Sequence, residues 1–372
     1  MSRSPALVDV EDVRTRVDAV LTGYVARLRE LADGAGRDCA PLADAVDGML
    51  AGGKRLRAAF CYWSWRAHGG DPGTDHAHAV IAVGAALELF QAAALFHDDV
   101  IDDSDMRRGR PAAHRAFAGL HERSGWSGDS RRFGDATAIL LGDLALVLSG
   151  QAVGEAVAHE SAERRARVHG VFDHMCAEVT VGQYLDVLAQ ALPWGLDPAA
   201  DEARAREVIR SKSARYSVEH PIVLGAALAG ADDDALAACR AVGLPLGEAF
   251  QLRDDLLGVF GDPATTGKPA GDDLREGKRT VLVARAMARS RAIGDQATVA
   301  LLLTGLGHRD LDDAQIAALA TAIDASRAPD DVEELIGELS GHAFAGLASL
   351  ALVEPGRTQL ERLAHAAVDR RS

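Results

Sequence analysis

The sequence predicts an all-α protein that folds as one large helical bundle. Apolar residues make up 48% of the 372 positions, enough for a sizeable core, while only 5% of the residues are aromatic. Alanine is abundant, and this composition favours helix packed on helix over a sheet. The length would suit two domains, but no stretch rich in proline, glycine and serine divides the chain. We therefore expect a single domain over residues 1–372.

The first elements follow from apolar residues at helical spacing. Residues 1–44 are expected to form a helical extension. Apolar residues that recur at helical spacing from Val13 to Leu31 predict an amphipathic helix over residues 8–31. A short helix is expected over residues 41–50 and is ended by two glycines. A third helix opens directly after them with basic residues.

Lys54, Arg55 and Arg57 stand at the start of that third predicted helix. A helix start presents free N–H groups and a positive dipole to an anion, so basic residues there suit an anionic ligand. The local sequence leaves open the alternative of an ordinary exposed basic helix start.

A long apolar run over residues 79–96 predicts a buried helix, and five aspartates and three arginines follow it within residues 98–111. If the helix continues, Asp98, Asp102 and Asp105 lie about one face, the first two roughly 6 Å apart along the axis. Stacked carboxylates repel each other and need a compensating cation, and an all-oxygen site suits Mg²⁺ or Ca²⁺. The alternative is a solvated acidic helix end.

Helices are also predicted for the middle and the end of the chain. Residues 119–134 are rich in glycine, serine and charge, and are expected to be a surface loop. Long helices are expected over residues 136–157 and 163–187, and shorter amphipathic helices over residues 281–371.

A second acidic pair, Asp254 and Asp255, is again embedded in apolar sequence with helical spacing. Two acidic sites with separate clusters of cations indicate a strongly anionic ligand, bound to the aspartates through metal ions. Beyond the basic cluster near residue 54, the cations are Arg107, Arg108, Lys212 and Lys268.

Composition excludes some classes of function. The net charge of −15 argues against nucleic acid as a partner, because no basic face offsets it. The four cysteines are scattered and match no metal-binding pattern. Glutamate and glutamine interrupt the apolar run at residues 79–96, so we expect no transmembrane segment. The first twenty residues lack the apolar core of a signal peptide, and a cytoplasmic location is expected.

Six motifs in order resemble those of the trans-isoprenyl diphosphate synthases, the polyprenyl synthetase family. The resemblance covers most of the chain, from about residue 45 to the C-terminus. The motifs are GGKRLR at 52–57, HDDVIDDSDMRRGRPAAH at 97–114, GQYLD at 182–186, KSARYS at 212–217, FQLRDDLLGVFGD at 250–262 and GKPAGDDLREGKRT at 267–280.

The resemblance implies a helical bundle of the isoprenoid synthase type with a central active-site cavity. It implies a prenyltransferase that joins an allylic diphosphate head-to-tail with isopentenyl diphosphate and releases pyrophosphate. Mg²⁺, three ions per active site when substrate is bound, and a homodimer are also implied.

The resemblance also assigns roles to residues of this chain. The expected metal ligands are Asp98, Asp102 and Asp254, and the expected catalytic set adds Asp99, Lys212 and Lys268. The expected substrate-binding residues are Lys54, Arg55, Arg57, Gln91, Arg107, Arg108, Gln183, Ser213, Gln251 and Asp255.

Two positions depart from the family pattern. Gln91 stands where members commonly have a histidine, which removes any positive charge but keeps a hydrogen-bond donor. Gly258 replaces the last aspartate of the second motif, and Asp262 follows one turn later.

Product length should depend on what blocks the apolar tunnel below the first acidic motif. Ala93 and Ala94 precede Asp98 by five and four residues, where family members that stop at fifteen carbons often carry an aromatic residue. Small side chains leave room, so we expect a geranylgeranyl or longer product. Phe90, about one turn deeper, is the expected floor.

Two other functions remain as alternatives. A terpene cyclase on the same fold also ionises prenyl diphosphates, but it would not need Lys54, Arg57 or the second aspartate pair. A non-catalytic subunit of a heteromeric synthase usually has damaged acidic motifs, and here only Gly258 departs from them.

Overall fold

The structure is a computed structural model that describes residues 7–261, 271–308 and 310–369, with side chains from residue 10 onward. The described chain is almost entirely helical, which confirms the predicted fold class. The assignment of all 372 residues to one domain stays a prediction. The helices are α1 (Val13–Ala35), α2 (Ala40–Leu50), α3 (Leu56–Ala67), α4 (His76–Ile101), α5 (Ala113–Arg123), α6 (Ser130–Ala156), α7 (Ala162–Ala191), α8 (Pro198–Val208), α9 (His220–Ala229), α10 (Asp233–Phe260), α11 (Asp272–Glu276), α12 (Val281–Ala292), α13 (Gln296–Gly305), α14 (Asp313–Ala325), α15 (Ala328–Ser349) and α16 (Gly356–Val368).

Five further elements complete the described fold. A 3₁₀ turn spans Leu7–Asp12, and a second one spans Arg37–Cys39. A π-helical segment, Ile209–Glu219, joins α8 to α9. The strands β1 (Met106–Arg107) and β2 (Arg110–Pro111) form a small antiparallel hairpin with Met106 opposite Pro111.

The core is built around α4, as its apolar sequence predicts. Sixteen of its residues are buried, and it packs against α1, α3 and α6. Both α4 and α6 are long and apolar enough to span a membrane by length and composition. In this fold 78% of the most apolar part of α4 is buried inside the protein, and 44% of that of α6. The burial of α4 therefore accounts for its hydropathy.

The surface loop predicted over residues 119–134 is wrong at both ends. Helix α5 continues to Arg123 and α6 already begins at Ser130. Asp129 caps the start of α6, because its side chain accepts a hydrogen bond from the backbone N–H of Arg132 at 3.0 Å. A Cβ on Gly134 would lie 2.1 Å from the His114 carbonyl oxygen. The glycine, although it lies within α6, therefore lets α5 pack closely against that helix.

Candidate active site

One cavity of about 1230 Å³ opens between the C-terminal halves of α4 and α10. Most of the residues assigned to substrate or metal from the sequence line it. These are Lys54, Arg55, Arg57, Gln91, Ala94, Asp98, Arg107, Arg108, Gln183, Lys212, Ser213, Gln251, Asp254 and Asp255. The structure therefore brings together side chains that are up to 200 positions apart in the chain.

The first acidic cluster lies at the C-terminal end of α4. The helix ends at Ile101, and the N–H of Asp102 still bonds to the carbonyl of Asp98 at 2.8 Å, so these two aspartates follow helical spacing. Asp105 does not join them, because Asp103 adopts a left-handed backbone (φ 53°) that ends the helical path. Arg115 instead bonds to Asp105 at 2.8 Å.

Lys212 is the main cation on this cluster. Its Nζ lies 2.8 Å from Asp98 Oδ1 and 2.6 Å from Asp186 Oδ2. Gln183 donates to the same oxygen of Asp98 at 3.3 Å. Burial acts to raise the pKa of Asp98, but the charges of Lys212, Lys278 and Arg107 outweigh it and hold that pKa well below its usual value.

Arg107 and Arg108 diverge rather than act side by side. The β1–β2 hairpin turns Arg107 back onto α4, where its Nε donates to Asp99 Oδ1 at 2.8 Å. The same guanidinium lies 3.7 Å from Asp98 Oδ2. Arg108 has a left-handed backbone (φ 52°) and bonds to the carbonyl of Met49 at 2.6 Å, at the end of α2.

The basic residues just before α3 also differ in their surroundings. Helix α3 begins two residues later than predicted, because Arg55 has a left-handed backbone (φ 53°). The Arg55 side chain is only 5% exposed and bonds to Asp18 at 2.7 Å and Glu88 at 3.3 Å. These partners differ from the diphosphate that we expected for Arg55, so this residue is better suited to hold the segment in place. Lys54 is exposed at the cavity rim.

Arg57 points toward the π-helical segment. It donates to Ser217 Oγ at 2.8 Å, and its guanidinium carbon lies 4.2 Å from the centre of the Tyr216 ring. Two glycines account for the position of this segment, because they let its neighbours approach its backbone. A Cβ on Gly182 of α7 would lie 2.5 Å from Lys212 N, and one on Gly247 of α10 would lie 2.3 Å from Ala214 O.

The second acidic cluster lies on α10. Asp255 is buried and accepts a hydrogen bond from Gln251 at 2.8 Å. Burial raises the pKa of Asp255 to about 7, with further contributions from the charges of Asp273 and Asp254. Lys268, assigned to the catalytic set from the sequence, lies outside the described residues.

Lys278 joins the first acidic cluster to the α11 segment, a contact that the sequence did not indicate. Its Nζ lies 3.1 Å from Asp102 Oδ2, 3.6 Å from Asp273 Oδ1 and 2.7 Å from Glu276 Oε2. Ser104 adds a hydrogen bond to Glu276 at 2.8 Å. Burial nevertheless raises the pKa of Asp102 to about 6. A single ammonium therefore spans from the α4 cluster to the α11 segment that follows α10.

The apolar part of the cavity lies below the first cluster. Ala94 lines it, whereas Ala93 is 2% exposed and packs in the core. Phe90 makes edge-to-face contacts with Phe172 (6.3 Å between ring centres) and Tyr216 (6.0 Å). Sequence reasoning missed Phe172 and Tyr216, although Tyr216 lies four residues after Lys212, a spacing that can signal a shared helical face.

The aspartates fit a magnesium site that is completed by its ligand. Among the residues that the structure describes, no group of three or more histidine, cysteine, aspartate or glutamate side chains converges as a ready metal site. Mg²⁺ is typically held by one or two carboxylates, and its other positions go to water and phosphate oxygens. Asp98 and Asp254 line the cavity, and Asp102 is buried beside Lys278; all three carry oxygen donors of this kind.

Comparison with known proteins agrees with the geometry. The family model described as Polyprenyl synthetase matches residues 40–321. A geranylgeranyl diphosphate synthase of Mycobacterium tuberculosis is 33% identical over 301 residues, 75% of this chain and 77% of that protein. A (2E,6E)-farnesyl diphosphate synthase of the same organism is 30% identical over 324 residues, 86% of this chain and 80% of that protein. A crystal structure of geranylgeranyl pyrophosphate synthase from Corynebacterium glutamicum, complexed with isoprenyl diphosphate and magnesium, matches with a TM-score of 0.88 and 36% identity, covering 96% of this chain and 98% of that one.

Proposed function

Because the chain belongs to the polyprenyl synthetase family and is a prenyltransferase that elongates trans prenyl diphosphates, we propose that its two aspartate clusters bind the substrate diphosphates through Mg²⁺. The observation that carries the proposal is the bridge made by Lys278. One ammonium reaches Asp102 and Asp273, and Asp273 lines the same cavity as Asp254 and Asp255. A diphosphate and its metal ions would bind in this part of the cavity.

The allylic diphosphate is proposed to bind between the clusters. Asp98, Asp102 and Asp254 would hold the metal, three ions per site, and Lys212 and Arg107 would contact the phosphate oxygens. When bound, Mg²⁺ supplies Lewis-acid and electrostatic stabilisation of the departing diphosphate. Lys212 and Arg107 already stand beside Asp98 and add fixed positive charge where the leaving group gains negative charge.

Isopentenyl diphosphate is proposed to bind at the opposite rim. Lys54 is exposed there, and Arg57 lies on the cavity wall near Gln91. Arg55 would act indirectly, by anchoring the segment through Asp18 and Glu88. The apolar wall between the two diphosphates would exclude water, so that the allylic cation reacts with the double bond of isopentenyl diphosphate.

The product is proposed to be geranylgeranyl or longer diphosphate. Ala94 lines the cavity, and Phe90, one turn deeper on α4, packs against Tyr216 of the cavity wall and would form the floor. No large side chain at position 94 blocks the growing chain.

A homodimer and a cytoplasmic location complete the proposal. Helix α6 exposes large apolar side chains on one face, and α7 exposes a second apolar group. Such faces favour association, here with a second copy of the chain. The exposed apolar residues are Ile139, Leu140, Leu146 and Val147 on α6, and Val181, Tyr184 and Val187 on α7.

The test is incubation of the purified chain with Mg²⁺, farnesyl diphosphate and isopentenyl diphosphate. Elongation to twenty carbons or more supports the proposal. A cyclised hydrocarbon would indicate a terpene cyclase, and absence of product without an added protein would indicate a subunit of a heteromeric synthase. Asp98→Asn, which keeps the size of the side chain, should abolish elongation in the same assay.

A further inference from the structure

Gly258 departs from the aspartate-rich pattern at a position that faces the cavity. It lies one helical turn after Asp254 on α10, so a side chain at position 258 would lie on the same helical face as Asp254. A glycine there provides no carboxylate. By sequence alone, the second acidic cluster has lost one of its groups.

The space above Gly258 is filled by a carboxylate from another element. A Cβ built on Gly258 would lie 2.0 Å from Asp273 Oδ2 and 2.9 Å from Asp273 Cγ, closer than real Cβ contacts allow. The backbone N–H of Gly271 donates to the carbonyl of Gly258 at 3.1 Å, which docks the start of α11 on α10 at this point. A side chain at position 258 would therefore displace the Asp273 carboxylate from this place.

Asp273 also belongs to the second cluster by its surroundings. It lines the cavity together with Asp254 and Asp255, and its Oδ1 lies 3.6 Å from Lys278 Nζ. Its carboxyl group is therefore near both the aspartates of α10 and the cation that reaches to Asp102.

We propose that Asp273 supplies from α11 the carboxylate that position 258 lacks, and so completes the second cluster for a divalent cation bound to a diphosphate. This inference rests on the proposed function. In this arrangement the Asp273 carboxylate lies over Gly258, in the space that a side chain at position 258 would fill.

The experiment measures metal binding without turnover. Mn²⁺ is titrated into the full-length protein in the presence of inorganic pyrophosphate, and bound metal is followed by electron paramagnetic resonance. Asp273→Ala and the isosteric Asp273→Asn should raise the apparent Kd about 10- to 100-fold. The double variant Gly258→Asp with Asp273→Ala returns a carboxylate to the vacated space and should restore most of the affinity.

Asp313→Ala is the matched control. Asp313 pairs with Arg275 of α11 at 3.0 Å, so its loss removes an ion pair of the same short helix without touching the cluster. It should leave the Kd unchanged. Circular dichroism and melting temperatures establish that each variant folds, and the isosteric asparagine variant keeps the test valid if the alanine variant does not.

Two results would overturn the inference. Unchanged Mn²⁺ affinity in Asp273→Asn would show that this carboxylate has no part in the cluster. A loss that the double variant does not restore would show that Asp273 acts only by holding Lys278. Failure of the proposed function would look different, because the wild-type protein would then neither bind Mn²⁺ with pyrophosphate nor elongate farnesyl diphosphate.

Discussion

Replacing Ala94 by phenylalanine should shorten the product by about one isoprene unit. Asp98, Ala94 and Phe90 follow one another at four-residue intervals along one face of α4, and each interval corresponds to about 6 Å along the axis. An isoprene unit adds four chain bonds of about 1.5 Å in zigzag, or roughly 5 Å. One helical turn of tunnel therefore accommodates about one unit.

The size of the effect follows from where the chain is stopped. In the wild type we expect the chain to be stopped by Tyr216, which lines the cavity, and by Phe90, which packs against Tyr216 two turns before Asp98. A phenylalanine at position 94 raises that floor by one turn. A protein that makes geranylgeranyl diphosphate should then release mainly the fifteen-carbon product, with little change in the KM for isopentenyl diphosphate.

The assay is mass analysis of products made from geranyl diphosphate and labelled isopentenyl diphosphate. Ala93→Phe is the matched control, because Ala93 is buried in the core rather than on the cavity wall. Overpacking there should cost about 1–3 kcal/mol of stability and leave product length unchanged. Unchanged product length in a folded Ala94→Phe protein, or equal shortening by Ala93→Phe, would refute the assignment of the wall.

Three other variants probe the charges and the surface. Lys212→Met leaves Asp98 and Asp186 without their shared cation. The free energy of unfolding should fall by about 3 kcal/mol, and elongation should be lost. A melting temperature equal to that of the wild type would contradict this prediction. The pKa of Asp255 is raised to about 7, so the folded protein binds this proton more tightly than the unfolded chain does. The metal-free wild-type protein should therefore lose stability as the pH rises from 4 to 7. The expected loss is on the order of 1 kcal/mol per pH unit. Asp255→Asn should flatten this slope in urea unfolding with chelator, and an unchanged slope would count against the shift. Val147→Lys places a charge on the exposed apolar face of α6 and should yield monomers by light scattering; a persisting dimer would exclude this face.

Much of the site could be predicted because most of its charged side chains stand in short, recognisable sequence motifs. Asp98 and Asp254 stand in motifs whose helical spacing persists in the fold, and both line the cavity together with Lys212. Their roles in binding remain predictions. Packing of α4 in the core was equally predictable, since an apolar run of that length has few other places to go.

What the sequence did not indicate depends on contacts between distant segments. The bridge from Lys278 to Asp102 joins positions that only the tertiary fold brings together. Arg108 looks like a twin of Arg107, but a single left-handed residue turns it toward α2. From the sequence, Gly258 suggests a missing carboxylate in the second acidic motif, because the carboxylate that occupies the space above it comes from α11.

If the aspartates bind metal as proposed, Lys212 and Lys278 would make metal binding an exchange of cations. Lys212 and Lys278 already neutralise Asp98 and Asp102, so like-charge repulsion does not open the ligand-free fold. A bare magnesium ion would compete with these ammonium groups for Asp98 and Asp102, and would leave Lys212 with Asp186 alone and Lys278 with Asp273 and Glu276. A magnesium ion that arrives on a diphosphate brings phosphate oxygens that can pair with the displaced lysine. The ligand-free enzyme should therefore bind free magnesium weakly and bind the magnesium–diphosphate complex tightly.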